Sequence, residues 1–204
     1  MTDKITNQPE GATPLDDISG LLRDDVTTRG QLDEAESLNI VSAIEWLEGG
    51  RLPDVFTVEF YRQLHSRMYN DVWSWAGALR SATGAQTNVG VPPEAVPQEL
   101  GRVAMEYYEK WKNRGDEKLV PFIARYHHAL VLVHPFNNGN GRWSRLCCDA
   151  LVEQVINEPP IVWATDTLTR DSGERSAYIA AMKQADKGDY APLVDYLTNL
   201  NGDR

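Results

Sequence analysis

Cysteine is nearly missing from this chain: Cys147 and Cys148 are the only two among 204 residues. Adjacent cysteines in a helical pattern cannot easily bridge each other. That excludes a disulfide framework and points to a reducing compartment, with the cytoplasm as the default. No Cys/His group has zinc spacing, so no structural metal is expected. Long apolar runs are missing too. No stretch of eighteen apolar residues occurs, so no membrane-spanning helix is expected. Met1 to Asp16 is polar with Pro9 and Pro14, and lacks the basic start and apolar stretch of a secretory signal. Positive charge is also scarce. Twenty Lys and Arg face thirty Asp and Glu, a net charge of −10. Such a surface repels a phosphate backbone over its whole extent, so direct nucleic-acid binding is not expected. Any anion must be caught by a local arrangement.

What remains is an ordinary globular composition, 42% hydrophobic and 25% charged. The length suits an extended or partly disordered segment over residues 1–20 and one domain over 21–204. The pattern is mostly helical. Leu38, Val41, Ile44 and Leu47 mark an apolar stripe between Ala35 and Glu48, stopped by Gly49-Gly50. Phe56, Phe60, Leu64 and Met68 mark a second helix, and Val96, Leu100, Val103, Tyr107 and Trp111 a third. Pro121 opens a strongly apolar helix that runs through Val133. Another starts near Asn140 and cannot pass Pro159-Pro160. Two more span Ser172 to Asp186 and Tyr190 to Leu200. Leu79 to Val91 breaks the habit with Thr, Val, Gly and Asn in hairpin proportions. From its residues alone it reads either as an exposed loop or as a short β-hairpin beside a site.

The chemistry concentrates between two buried helices, in His134-Pro135-Phe136-Asn137-Asn138-Gly139-Asn140-Gly141-Arg142-Trp143-Ser144-Arg145. Pro135 bars His134 from continuing the preceding helix. Gly139 and Gly141 let backbone approach a ligand without Cβ interference. A helix starting at Asn140 turns unpaired N–H groups and its positive dipole end toward the turn, which suits a phosphate. Arg142 and Arg145, three apart, share a face opposite the Trp143/Leu146/Cys147 stripe and could clamp further phosphates. Each feature alone has a bland explanation in packing, turn-making or solvation. Together they are the local anion trap that the acidic surface requires.

This stretch resembles the Fic signature, His-x-Phe-x-(Asp/Glu)-Gly-Asn-Gly-Arg-x-x-Arg. TPLDD, TTRGQLDEAESLNI, LHSRMYNDVWSWAG, RYHHALVLVHPF and AAMKQADKGDYAPL resemble a bacterial Fic subfamily known as mobile mystery protein B, covering Thr13 to Leu197. The resemblance implies an all-α domain, motif 134–145, with a small β-hairpin flap next to the active site. It implies transfer of a nucleoside monophosphate, typically AMP from ATP with Mg²⁺, to a Ser, Thr or Tyr hydroxyl of a target protein. His134 matches the catalytic base, and Gly139, Asn140 and Gly141 the anion-holding loop. Arg142 and Arg145 match the triphosphate-orienting arginines, and Thr87, Asn88 and Val89 the flap that pairs with the target. A small helix-turn-helix protein is the partner the subfamily implies.

Two positions depart from the pattern. Asn138 stands where active relatives hold Mg²⁺ with a carboxylate, so any metal contact there is uncharged. Glu45 half matches an inhibitory glutamate that pairs with the second motif arginine, although Val41 and Trp46 replace its flanking residues. The alternatives are a phosphotransferase of the Fic/Doc type and a catalytically weakened nucleotide-binding regulatory module. His127 and His128, two turns before His134, read as packing groups or as groups that support the site from behind, not as catalytic ones.

Overall fold

The computed structural model describes residues 18–49, 54–164 and 173–204. The first seventeen residues of the expected N-terminal segment, and Ser172 of the expected sixth helix, lie outside the described residues. The chain is tied down by Gly20. The Gly20 carbonyl accepts from the Ser74 amide (2.8 Å), Leu22 donates to Val72 (2.9 Å), and Leu21 forms an isolated bridge with Trp73.

Helix α1 (Arg29–Glu48) starts six residues before the sequence pattern suggests, because Thr28 and Gln31 form a reciprocal capping box. Its buried face is not the expected one. Leu38 and Val41 are exposed at 65% and 52%. Of the expected stripe Leu47 is buried, together with Leu32, Ala35, Glu36, Asn39 and Ala43. The cause is polar. Asn39 donates to the Arg67 carbonyl (3.1 Å) and accepts from the Asp71 amide (3.0 Å), while Glu36 is fixed by an arginine and a tryptophan described below. Satisfying those groups rotates α1 away from its more apolar stripe.

Helix α2 (Val58–Tyr69) is capped by Thr57, whose hydroxyl accepts from the Phe60 amide. A short α3 (Arg80–Thr83) is followed by residues 84–92 without regular structure. Then come a single 3₁₀ turn (Pro93–Ala95), α4 (Val96–Lys112), α5 (Leu119–Val133) and α6 (Asn140–Leu151). The chain leaves α6 through a π-helical turn, Val152–Ile156, and ends with α7 (Gly173–Ala185) and α8 (Ala191–Asn201). Among the described residues there is no β-strand, as an all-α reading requires, but the hairpin over Leu79–Val91 is not formed either. Arg80 draws the start of that segment into α3, and no second strand is present to repay the ordering of an isolated two-stranded ribbon.

The core forms around α5 and α6. Phe122, Ile123, Tyr126 and Leu130 of α5 meet Trp143, Cys147, Ala150 and Leu151 of α6, with Phe60, Tyr61 and Leu64 of α2 on one side and Leu193 and Leu197 of α8 on the other. The ring N–H of Trp143 donates to the Tyr61 carbonyl (3.0 Å), and the Tyr61 and Tyr126 hydroxyls share a hydrogen bond (2.9 Å). These buried polar links fix the register of three helices, so the turn between α5 and α6 is held on a rigid base.

Candidate functional site

His134 ends α5 in the left-handed conformation (φ 51°), where the following proline bars a further helical turn. Only 6% of it is exposed. Burial pushes its imidazole down to about 4, the nearby Arg80 charge adds to the shift, and a hydrogen bond to the Val131 backbone opposes it. The ring is therefore neutral at pH 7, the state a proton acceptor needs.

The loop after it is secured from inside. Asn140 accepts from the Phe136 amide (2.9 Å) and donates to the Phe136 carbonyl (2.8 Å). Phe136 stacks on His65, ring centroids 3.7 Å apart. His65 Nδ1 accepts from the Gly77 amide (3.0 Å), so its other nitrogen carries the proton and donates to the Asn138 carbonyl (3.1 Å). Burial holds His65 at about 3, and it stays neutral in this bridging role. Asn137 accepts from the Thr83 hydroxyl (2.7 Å). Gly139 has φ 74°, and a Cβ there would run into the Tyr69 ring, so glycine is required by both conformation and space. The first turn of α6 thus opens at the end of a clamped loop. Its Asn140 side chain is committed to Phe136.

The two motif arginines differ. Arg142 pairs with Glu36 of α1 at 2.6 Å, and the second Glu36 oxygen accepts from the Trp73 ring N–H (2.8 Å). Glu36 raises the proton affinity of Arg142 against the lowering effect of burial. Arg142 also lies over the Tyr69 ring, 5.2 Å from its centroid. Arg145 is 8% exposed, not on the open face expected for it. Burial lowers its proton affinity, while Tyr178 of α7 raises it, and the Tyr178 hydroxyl in turn bonds His127 (2.7 Å). No local pattern around Arg145 announces that Tyr178 of α7 would meet it. Glu45 is not brought to Arg145. It is exposed on α1, nine residues beyond Glu36, and forms no ion pair among the described residues. The glutamate that reaches a motif arginine is Glu36, whose position on the 32–36–39–43–47 stripe was the available signal.

Arg80 is the other residue that sequence reasoning missed. It is 1% exposed, and among the described residues it is in no ion pair. Its guanidinium donates to the carbonyls of His134 (2.6 Å) and Val91 (2.7 Å), and its amide donates to Pro135 (2.8 Å). One buried cation thereby ties residues 85–91 to the histidine. Gly90 (φ 98°) packs so closely on His134 that a Cβ would collide with it. Thr87 donates to the Val89 carbonyl (2.6 Å), and Asn88 and Val89 face solvent. The backbone amides of residues 86–91 bond no other backbone among the described residues.

A metal finds little here. Among the described residues no three His, Cys, Asp or Glu side chains are grouped to hold one. The Asn138 side-chain oxygen accepts from the Gly139 amide (2.6 Å) and carries no charge. The residues present do not fit a protein-held Mg²⁺ site. His128 bonds Asp186 (2.9 Å) and Tyr190 (3.2 Å).

Residues 55–152 match the model of the Fic/DOC family. A relative from Aedes aegypti, "Protein adenylyltransferase Fic", is 28% identical over 149 residues, covering 72% of this chain. The chain spans only 28% of that relative's length. Among solved structures, the N-terminal Fic domain of a putative cell filamentation protein of Bartonella quintana superposes with a TM-score of 0.68 at 19% identity, covering 87% of this chain and 86% of that one. A second structure of a Fic domain from that organism, with bound ADP, gives 0.65 at 20% identity, over 87% of each chain. These likenesses establish the fold.

Proposed function

The chain belongs to the Fic/DOC family through residues 55–152, and from that premise we propose that it transfers the AMP moiety of ATP to a Ser, Thr or Tyr hydroxyl of a target protein. The observation that carries this reading is a neutral, buried His134 fixed at the mouth of the α6 N-terminus, with a conformationally required glycine between them. The target oxygen attacks the α-phosphorus, its proton passes to the neutral imidazole of His134, and the bond to the β-phosphate oxygen breaks to release pyrophosphate. The unpaired amides of α6 and its dipole hold the phosphates. Arg145 and Arg142 neutralise charge that develops on them, Arg142 once a phosphate oxygen replaces Glu36. Magnesium would arrive with ATP and supply charge neutralisation to its phosphates, and no step depends on a protein ligand to it. The free amides of residues 86–91, anchored by Arg80 and Gly90, support a target segment adding along that edge beside His134.

The name of the Aedes relative and the ADP in the Bartonella domain support nucleotide chemistry at this site. Two buried, free thiols support a reducing compartment such as the cytoplasm. A small helix-turn-helix partner belongs to the same proposal, supported by the subfamily resemblance alone. The test is intact-mass analysis of proteins modified in a lysate supplied with ATP. An AMP increment supports the reading, and a phosphate increment assigns the chain to the phosphotransferase alternative.

A further inference from the structure

We propose that the Tyr69 hydroxyl is a ligand-contacting group of the anion site, donating a hydrogen bond to a phosphate oxygen held at the N-terminus of α6; this rests on the nucleotide reading above. Three independent observations converge on it.

The first is an unmet donor. Tyr69 is 1% exposed and its hydroxyl has no hydrogen-bond partner among the described residues. The other buried tyrosines spend theirs: Tyr61 and Tyr126 on each other (2.9 Å), and Tyr107 on the Arg125 carbonyl (2.8 Å). Leaving a buried hydroxyl unpaired is costly where phenylalanine would pack equally well, so the group asks for an acceptor that arrives later.

The second is position. The hydroxyl lies against Gly139, the residue immediately before the first turn of α6, where the unpaired amides begin. An anion on those amides is the nearest acceptor the site's chemistry would supply.

The third is what surrounds it. Arg142 covers the ring face and is held there by Glu36. Burial keeps the hydroxyl protonated and therefore a donor, against Arg142, which favours negative charge there and is itself opposed by Glu36. When Arg142 turns from Glu36 to a phosphate, it uncovers the ring and opens the hydroxyl to the same anion.

The experiment compares wild type with Tyr69→Phe, which keeps the ring and removes the donor. Thermal unfolding without ligand and calorimetric titration with ADP and with adenosine are measured on both. The proposal expects Tyr69→Phe to unfold at the same temperature or higher. It expects ADP to bind about tenfold more weakly, the loss of one charge-assisted hydrogen bond, with any adenosine binding unchanged. Equal ADP affinity in the two proteins overturns it, leaving the nucleotide reading intact. A clear fall in unfolding temperature also overturns it, since the hydroxyl would then have a partner within the fold. Failure of wild type itself to bind ADP or ATP overturns the nucleotide reading, and this inference with it.

Discussion

Replacing Glu36 by Gln isolates the ion pair that joins α1 to the motif. The amide oxygen can still accept from Trp73, so the change removes charge and little else. Removing one partner of a buried pair costs roughly 3–5 kcal/mol, because the other charge is left uncompensated. Arg142 retains 26% exposure beside a Glu36 side chain at 3%, so water recovers part of that cost and about 2–3 kcal/mol is expected. For a chain of this size each kcal/mol shifts the unfolding midpoint by about 2–4 °C, giving a drop of roughly 4–12 °C. Nucleotide should reverse much of it. In wild type a phosphate must displace Glu36 from Arg142, whereas in Glu36→Gln the guanidinium is free to take it. Differential scanning fluorimetry with and without saturating ADP reads both effects. The reasoning fails if the variant unfolds with wild type in the absence of ligand, or if ADP leaves the gap between them unchanged.

Further outcomes follow from the same geometry. Gly90→Ala forces a Cβ against His134 from a backbone angle that disfavours side chains; transfer should fall at least tenfold with ADP affinity within twofold, and equal loss of both would mean the fold itself had suffered. His65 and His134 sit at about 3 and 4, below the unfolded value near 6.5. The unfolded chain therefore takes up protons first, and stability declines as pH falls from about 6.5 toward 4, by up to about 1.4 kcal/mol per pH unit for each histidine; urea midpoints that stay flat from pH 7 to 4.5 would refute this. Asn138→Asp adds a carboxylate at the loop, so ADP binding should become dependent on Mg²⁺, whereas wild-type binding should change by no more than about threefold on chelation.

The turn between α5 and α6 was legible in the sequence because its signals are local: a proline after His134, glycines at 139 and 141, and an apolar helix on either side. The α1 face was not. Hydrophobic periodicity favoured Leu38 and Val41, but Glu36 and Asn39 take the buried side because their partners, Arg142, Trp73, Arg67 and Asp71, wait there from distant parts of the chain. No pattern within α1 announces a partner 106 residues away. Arg80 escaped notice for a related reason, since a buried arginine bound only to carbonyls leaves no charge complement in the sequence. The hairpin failed on tertiary grounds. Its composition suits a ribbon, yet Arg80 and Gly90 fasten residues 84–92 to the His134 turn, where no strand among the described residues is available to pair with them.

The central claim is that His134 accepts the proton while the bond to the α-phosphorus forms. The direct measurement supplies the protein and a lysate with ATP radiolabelled either at the α- or at the γ-phosphate, using wild type and His134→Ala in parallel. The account predicts labelled protein bands from the α-label only, and loss of those bands with His134→Ala although that variant still binds ADP. Bands from the γ-label, or α-labelled bands that persist undiminished without the imidazole, would contradict it.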